Sequence, residues 1–426
     1  MKLNTKTTTL VGFAFLSICA FWQMYDNLVP KILTETFGIG ESISGVIMAS
    51  DNVLALFLLP LFGGLSDKCK SPLGRRRPFI LFGTLAAVVL MMALPLLTDS
   101  FHAEPESWKL ICFVVGLGML LIAMGTYRSP AVALMPDLTP KPLRSSANAV
   151  INLMGTIGGS LILGLGMVLS TGATKNTYMP YTGYFCIVAG IMLVSLVVFL
   201  STVRERKFVA EMEEISRENA IQEGNDEDEA SGSRKLSGAE RLSLILLLAS
   251  VVLWFFGYNA VTSKYSVYAG RVLQLDYNST LLVANIAALI AYLPVGFIAT
   301  KFGRKKTILA GVIMLSGAFL TASFLDAGTP LPVMMILFAI AGIGWATINV
   351  NSFPMVVELA RGGNVGKYTG FYYTASMAAQ TITPLVSGFI MDNFGMKTLF
   401  PYAAIFAGLA FITMLFVRHG DSKPTK

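Results

Sequence analysis

Gly63-Gly64-Leu65-Ser66-Asp67-Lys68-Cys69-Lys70-Ser71-Pro72-Leu73-Gly74-Arg75-Arg76-Arg77 is a short basic stretch set between two long apolar runs. A reduced version recurs as Gly296-Phe297-Ile298-Ala299-Thr300-Lys301, then Gly303-Arg304-Lys305-Lys306, again between apolar runs. Two further pairs keep the same order. Trp22 with Tyr25-Asp26 is echoed by Trp254 with Tyr258-Asn259, and Pro136-Asp137-Leu138 ahead of Arg144 by Val357-Glu358-Leu359 ahead of Lys367. Three pairs in one order, at separations of about 220–235 residues, indicate a duplicated design.

Working outward, a transmembrane helix needs about 20 apolar residues to cross a core of roughly 30 Å. Twelve segments qualify, at 9–33, 43–65, 78–98, 109–135, 146–170, 181–203, 242–267, 279–300, 306–325, 331–357, 368–391 and 397–417. Hydrophobic residues fill 54% of the 426 positions and charged residues 13%, against roughly 25% charged in a soluble protein. Mean hydropathy is +0.66. This composition argues against a soluble enzyme or a nucleic-acid-binding module. The first apolar stretch follows Lys2 and Lys6 but continues through Phe21–Leu33, so it reads as a retained span rather than a signal peptide.

The basic residues set the orientation. With the N-terminus inside, the cytoplasmic loops and tails hold 25 of the 32 Lys and Arg. Lys31, Lys109, Lys175, Lys264, Arg271 and Lys397 fall on the outer side, and Arg128 lies inside span 4. That positive-inside bias puts both termini in the cytoplasm. It also accounts for the net charge of +7 without any nucleic-acid partner.

The expected fold class is an all-α membrane protein of twelve transmembrane helices in two pseudo-symmetric six-helix halves. The halves are 1–203 and 242–426, the second ending in a short cytoplasmic tail. Between them, 204–241 carries Glu211, Glu213, Glu214, Glu218, Glu223, Asp226, Glu227, Asp228 and Glu229. Such a run cannot bury a core and reads as a flexible or partly helical cytoplasmic linker. Cys19, Cys69, Cys112 and Cys186 are scattered and show no disulfide or metal spacing.

Duplicated halves joined by a cytoplasmic loop suggest a rocker that binds a solute near the midplane and exposes it alternately to each side. In the Gly-Arg loop, Asp67 is placed to accept charge-assisted hydrogen bonds from Arg75, Arg76 or Arg77, forming a latch that breaks as the inside opens. The plainer alternative is that these arginines only set topology. In the second copy Thr300 replaces the acid, which predicts a weaker latch there.

Ser66-Asp67-Lys68-Cys69-Lys70-Ser71-Pro72-Leu73-Gly74-Arg75-Arg76-Arg77-Pro78-Phe79-Ile80 resembles the signature of the plant sucrose/proton symporters and their animal and bacterial relatives, within the major facilitator superfamily. Ala133-Leu134-Met135-Pro136-Asp137-Leu138, followed by Arg144-Ser145-Ser146-Ala147-Asn148-Ala149, is similar to that family's second motif. The resemblance implies the major facilitator fold. It also implies proton coupling at Asp137 and a transport role for Arg144. A gating ion pair between the two, near the cytoplasmic end of span 4, is an equal alternative. Melibiose-type symporters are more distantly similar. Ala55 and Leu59 stand where those carry two aspartates, which argues against a sodium site of that kind.

An ionised side chain at the bilayer centre costs ~2.5–3.5 kcal/mol on insertion scales, so each demands a reason. Asp26, Asp51 and Arg128 are the deep ones, all in the first half. The only histidines, His102 and His419, lie outside the spans. A carboxylate is therefore the expected proton carrier, since an aspartate pKa near 3.9 can rise by up to ~3–5 on burial. Asp51, Asp137 and Asp26 are the candidates. Trp22, Trp254 and Trp345 fall near mid-span, where aromatic faces can bind the C–H faces of a sugar and neighbouring amides its hydroxyls. Tyr25, Arg128, Tyr258, Asn259 and Asn349 complete the candidate solute set, while Arg144 and Glu358 join Asp67 and Arg75–Arg77 as gating candidates. Each aromatic also has a plain packing alternative.

No catalytic constellation, metal set, Walker motif or dinucleotide motif is present in the sequence, so neither an enzyme nor ATP-driven transport is expected. The reading is a proton-coupled symporter of a sugar or glycoside, with the proton as coupling ion and no other cofactor. It is expected as a monomer in the lipid bilayer of a cell (inner) membrane. A uniporter or proton-driven exporter remains open, and a non-transporting membrane sensor is the rival from another class.

Overall fold

The computed structural model describes residues 4–139, 144–169, 171, 180–218, 236–359 and 365–421. The side chains of Arg144 and Thr300, both named above, lie outside the described set. Among the described residues all regular structure is helical: α1 (Thr5–Lys31), α2 (Glu41–Asp67), α3 (Arg77–Ala103), α4 (Ser107–Asp137), α5 (Arg144–Val168), α6 (Thr182–Thr202), α7 (Glu205–Glu218), α8 (Gly238–Tyr268), α9 (Tyr277–Phe302), α10 (Arg304–Ala322), α11 (Leu331–Glu358), α12 (Val365–Phe394) and α13 (Leu399–Phe416).

Apart from α7, which lies in the linker, these helices follow the twelve expected spans in order. Ten are long and apolar enough to cross a membrane, α1 and α8 being counted with the π-helical turns that extend them. Helix α9 contributes a shorter apolar stretch, Tyr277–Tyr292. Helix α12 runs for 30 residues but is broken up by polar side chains. The hydroxyls of Thr381, Thr383 and Ser387 donate to the carbonyls of Met377 (2.9 Å), Ala379 (2.6 Å) and Thr383 (2.7 Å). Satisfying such groups inside the helix is what an apolar surrounding requires.

Local chemistry sets the helix ends. The Asn4 side chain accepts from the Thr7 amide at the start of α1. Ser237 and Glu240 form a reciprocal capping box at the start of α8. Gly303 turns the chain from α9 into α10 at φ +92°, a conformation that a side chain would strain.

By their contacts the described residues fall into two compact units. The first lies within Met1–Ile39, Ser50–Thr171 and Thr177–Glu223, the second within Gly40–Ala49, Gly172–Asn176 and Gly224–Lys426. In the first unit α1 packs on α5 and α6, and α3 on α4 and α6. A Cβ on Gly158 would collide with the Leu16 carbonyl, so α1 and α5 touch backbone to backbone. Among the described residues, a Cβ on Gly118 or Gly164 would meet nothing within 4 Å. In the second unit α8 packs on α12 and α13, and α11 on α9 and α10. Phe57, Val89 and Phe324 are among many large apolar side chains left exposed, an exterior that suits lipid.

Candidate functional site

Helices α1, α2 and α4 of the first unit bring together the deep charges. Asp26, Asp51 and Arg128 lie within electrostatic reach of one another. The Arg128 guanidinium carbon stands 5.0 Å from the Trp22 ring centroid, a cation–π contact that gains strength away from water. Trp22 meets Tyr25 edge to face at 5.3 Å. Among the described residues, the Trp22 indole N–H and the Tyr25 hydroxyl are both buried without a hydrogen-bond partner. Trp22, Asp51 and Arg128 also line one small cavity with Leu54, Leu58 and Gly125. Unsatisfied donors beside these charges favour an incoming group that can accept hydrogen bonds. Asn52 donates its side-chain amide to Asp51 at 2.8 Å. Asn27 instead bonds its own helix, donating to the Gln23 carbonyl at 2.7 Å.

The second unit offers an uncharged surface. Tyr258 of α8 and Trp345 of α11 stack face to face, 3.6 Å apart and 1° from parallel. Phe255 sits edge-on to Trp345 at 5.1 Å. Asn349, one turn beyond Trp345, is exposed and lies close to Tyr292 of α9. The Asn259 amide nitrogen is buried without a partner among the described residues. Trp254 corrects the sequence expectation: it is 0% exposed within the core cluster and does not share an accessible face with Tyr258. The partner of Tyr258 is Trp345, on another helix. Tyr292 was not foreseen, and its place near the middle of an apolar run was the only available signal.

A charge network closes the Gly-Arg end of the first unit. Arg76, almost wholly buried, places Nη2 2.5 Å from Asp67 Oδ1 and Nε 3.0 Å from Asp137 Oδ2. It also donates to Ser66 Oγ and the Gly63 carbonyl. Arg75 Nη2 lies 3.8 Å from Asp137 Oδ2. Asp137 is thus held by Arg76 and Arg75, whereas its expected pairing with Arg144 lies outside the described side chains. Arg77 donates to the Leu200 carbonyl at 2.6 Å. The Glu205 carboxylate accepts the backbone N–H of Arg75 (2.7 Å), Arg76 (3.1 Å) and Arg77 (3.1 Å), which caps α3.

The second unit builds the corresponding corner from other residues. Arg304 pairs with Glu358. Asp421 accepts the backbone N–H of Arg304 at 2.8 Å and of Lys305 at 3.3 Å. Lys305 Nζ donates to the carbonyls of Leu415 (2.8 Å) and Val417 (2.6 Å) at the end of α13. The expectation of a weak second latch considered only position 300; Glu358, already a gating candidate, and Asp421, which the sequence reading did not single out, supply acids at this corner. Glu205 and Asp421 each follow the last long helix of their unit, which is the signal the sequence held.

Comparison with known proteins fits this architecture. A family model described as Major Facilitator Superfamily matches residues 11–291 and 279–426. Sucrose transport protein SUC3 of Arabidopsis thaliana is 31% identical over 152 residues, 33% of this chain and 25% of that protein. Sucrose transport protein SUC4 of Arabidopsis thaliana is 29% identical over 195 residues, 42% of this chain and 36% of that protein. The chain therefore spans only about a quarter to a third of the length of these relatives. Among solved structures, the inward-open xylose transporter XylE from E. coli superposes with a TM-score of 0.68 at 15% identity, covering 99% of this chain and 97% of that one. A bacterial homologue of the human drug peptide transporters PepT1 and PepT2 scores 0.67 at 14% identity, covering 97% and 98%. A sugar carrier and a peptide carrier thus match equally well, so the fold alone does not select a solute.

Proposed function

The chain belongs to the Major Facilitator Superfamily, and on that premise we propose that it is a secondary transporter that moves a sugar or glycoside together with a proton by alternating access. It is a multi-pass membrane protein. The observation that carries the coupled reading is Arg128 set over Trp22 within reach of Asp26 and Asp51. Charged groups in an apolar interior mark ion and solute pathways. Asp51 and Asp26 are the proposed proton carriers, and Asp137 takes the gating role its arginine partners suit. The choice of a sugar is supported by the partial likeness to sucrose transport proteins. The stacked Tyr258–Trp345 pair and the Asn349 amide add to it, since an aromatic platform with neighbouring amides suits a polyhydroxylated ring. We place the protein in the cell (inner) membrane as a monomer with both termini cytoplasmic.

The test is uptake of radiolabelled mono- and disaccharides into proteoliposomes, with and without an inwardly directed proton gradient. Gradient-driven accumulation of at least one sugar supports the proposal. Equilibration that ignores the gradient would make the protein a uniporter. Transport of cationic drugs with no response to any sugar would replace symport with export.

A further inference from the structure

Tyr25 is 1% exposed, and its ring is held by two neighbours on its own helix: Phe21, stacked at 6.0 Å, and Trp22, edge to face at 5.3 Å. Its hydroxyl nonetheless has no hydrogen-bond partner among the described residues. An enclosed donor without an acceptor is costly, so it calls for a partner in another state of the protein. Trp22, Asp51 and Arg128 line the small cavity of the first unit, whereas Tyr25, packed against Trp22, stays outside its wall. That placement favours a partner within the protein over a solute.

The acceptor at hand is a carboxylate. Asp51 is the charge that acts most strongly on the Tyr25 hydroxyl, ahead of Asp26 beside it in sequence. Both hydrogen bonds that Asp51 receives, from the Asn52 backbone N–H (2.6 Å) and side-chain amide (2.8 Å), land on Oδ1. Among the described residues Oδ2 is thus open to a further donor. The other charged and titratable groups nearby are accounted for. Helix α4 brings Arg128 and Tyr127, and Tyr127 is engaged with Ser17 at 3.3 Å. Cys19 of α1 lies toward Arg128. Helix α5, packed along α1, carries no charged residue from Ser145 to Val168. On α6, Tyr184 donates to the Ile162 carbonyl at 3.3 Å. Further along α1, Lys31 pairs with Glu35 at 3.7 Å.

The duplicated design sharpens the point. The second copy keeps the tyrosine but not the acid: Tyr258 is followed by Asn259 where Tyr25 is followed by Asp26, and its ring stacks on Trp345. Of this tyrosine pair, the one with the enclosed, unpartnered hydroxyl is the one set among the deep charges.

We propose that Tyr25 is a positioning residue for Asp51: when Asp51 gives up its proton in the transport cycle, the Tyr25 hydroxyl donates a hydrogen bond to the open Oδ2 and holds the carboxylate until it is reprotonated. The proposal rests on the proton-coupled reading above. Tyr25 keeps its own proton throughout, and the proton that Asp51 releases passes to water. A donor aimed at the ionised form of an acid favours that form. Without it the buried carboxylate has one donor fewer, so Asp51 should hold its proton to higher pH.

The test reads protonation and needs no knowledge of the solute. Infrared difference spectra of the reconstituted protein across a pH titration report the carboxylic C=O stretch of a buried acid, and the band that Asp51→Asn removes belongs to Asp51. Tyr25→Phe keeps the ring against Phe21 and Trp22 and removes only the hydroxyl. It is expected to raise the pH at which that band is half lost by about one to two units, roughly 10- to 100-fold in proton concentration, as for a lost hydrogen bond to a charged group. Trp22→Phe, which removes the other enclosed donor, should move the midpoint far less. An unchanged midpoint in Tyr25→Phe overturns the proposal, as does an equal shift in both variants, which indicates a general change in polarity. The wild type supplies a second reading that does not depend on a variant folding. A tyrosine C–O stretch should shift in step with the Asp51 band, and tyrosine modes that stay constant across that transition also overturn the proposal. Asp51 titrating under the control of Tyr25 in a protein that accumulates no sugar would leave this inference standing and remove only the solute assignment. The absence of any titrating band that Asp51→Asn removes would take away the coupling role of Asp51, and this inference with it.

Discussion

Arg76 donates from Nε to Asp137 at 3.0 Å, so the acid at the end of α4 is tied to the arginine loop ahead of α3. The same guanidinium binds Asp67, so one buried cation serves two carboxylates on two helices. A contact of this kind sets the rate of opening more readily than the affinity for a solute. Asp67→Asn is expected to slow turnover by up to about fivefold, since a half-exposed ion pair contributes ~1 kcal/mol or less. KM for the solute should change little. Initial-rate uptake across solute concentrations checks this, and a large rise in KM at unchanged turnover would contradict it.

Asp51 faces the small cavity with Arg128 and Trp22. Asp51→Asn should abolish accumulation driven by a proton gradient while solute exchange across the membrane persists. Counterflow and gradient-driven uptake, measured on the same proteoliposomes, separate the two. If Asp51→Asn and Asp137→Asn both couple as the wild type does, Asp26 becomes the carrier.

Trp345→Ala removes one face of the stack with Tyr258, and Asn349→Ala removes the amide one turn further along α11. Each is expected to weaken sugar binding by ~1–3 kcal/mol, the range for a lost aromatic or buried polar contact. Isothermal titration of the purified variants gives the number directly.

Trp254 should behave in the opposite way. Its indole is enclosed in the core of the second unit. Trp254→Ala is expected to cost about 3–5 kcal/mol of stability, as for other large aromatics removed from a core. Sugar affinity in the surviving fold should stay close to that of the wild type. Thermal unfolding in detergent, paired with titration, distinguishes it from Trp345→Ala.

The helices were legible because apolar runs of spanning length leave few other structures open. The pairing of Asp67 with an arginine was legible because both lie in one short motif. Which tryptophan would meet a cavity was not. Helices α8 and α11 are apolar all round, so no amphipathic stripe marks the inward face, and Trp254 and Trp345 look alike in sequence. Glu205 and Asp421 were missed for another reason. They act on backbone N–H groups over 110 residues away, at distances no local spacing encodes.

The claim that a neutral sugar moves with a proton is tested most directly by sugar-evoked current across proteoliposomes adsorbed to a solid-supported membrane. A jump to a transported sugar at constant pH should produce a transient inward positive current in the wild type and none in Asp51→Asn. Sugar uptake without any current in the wild type would contradict proton-coupled symport.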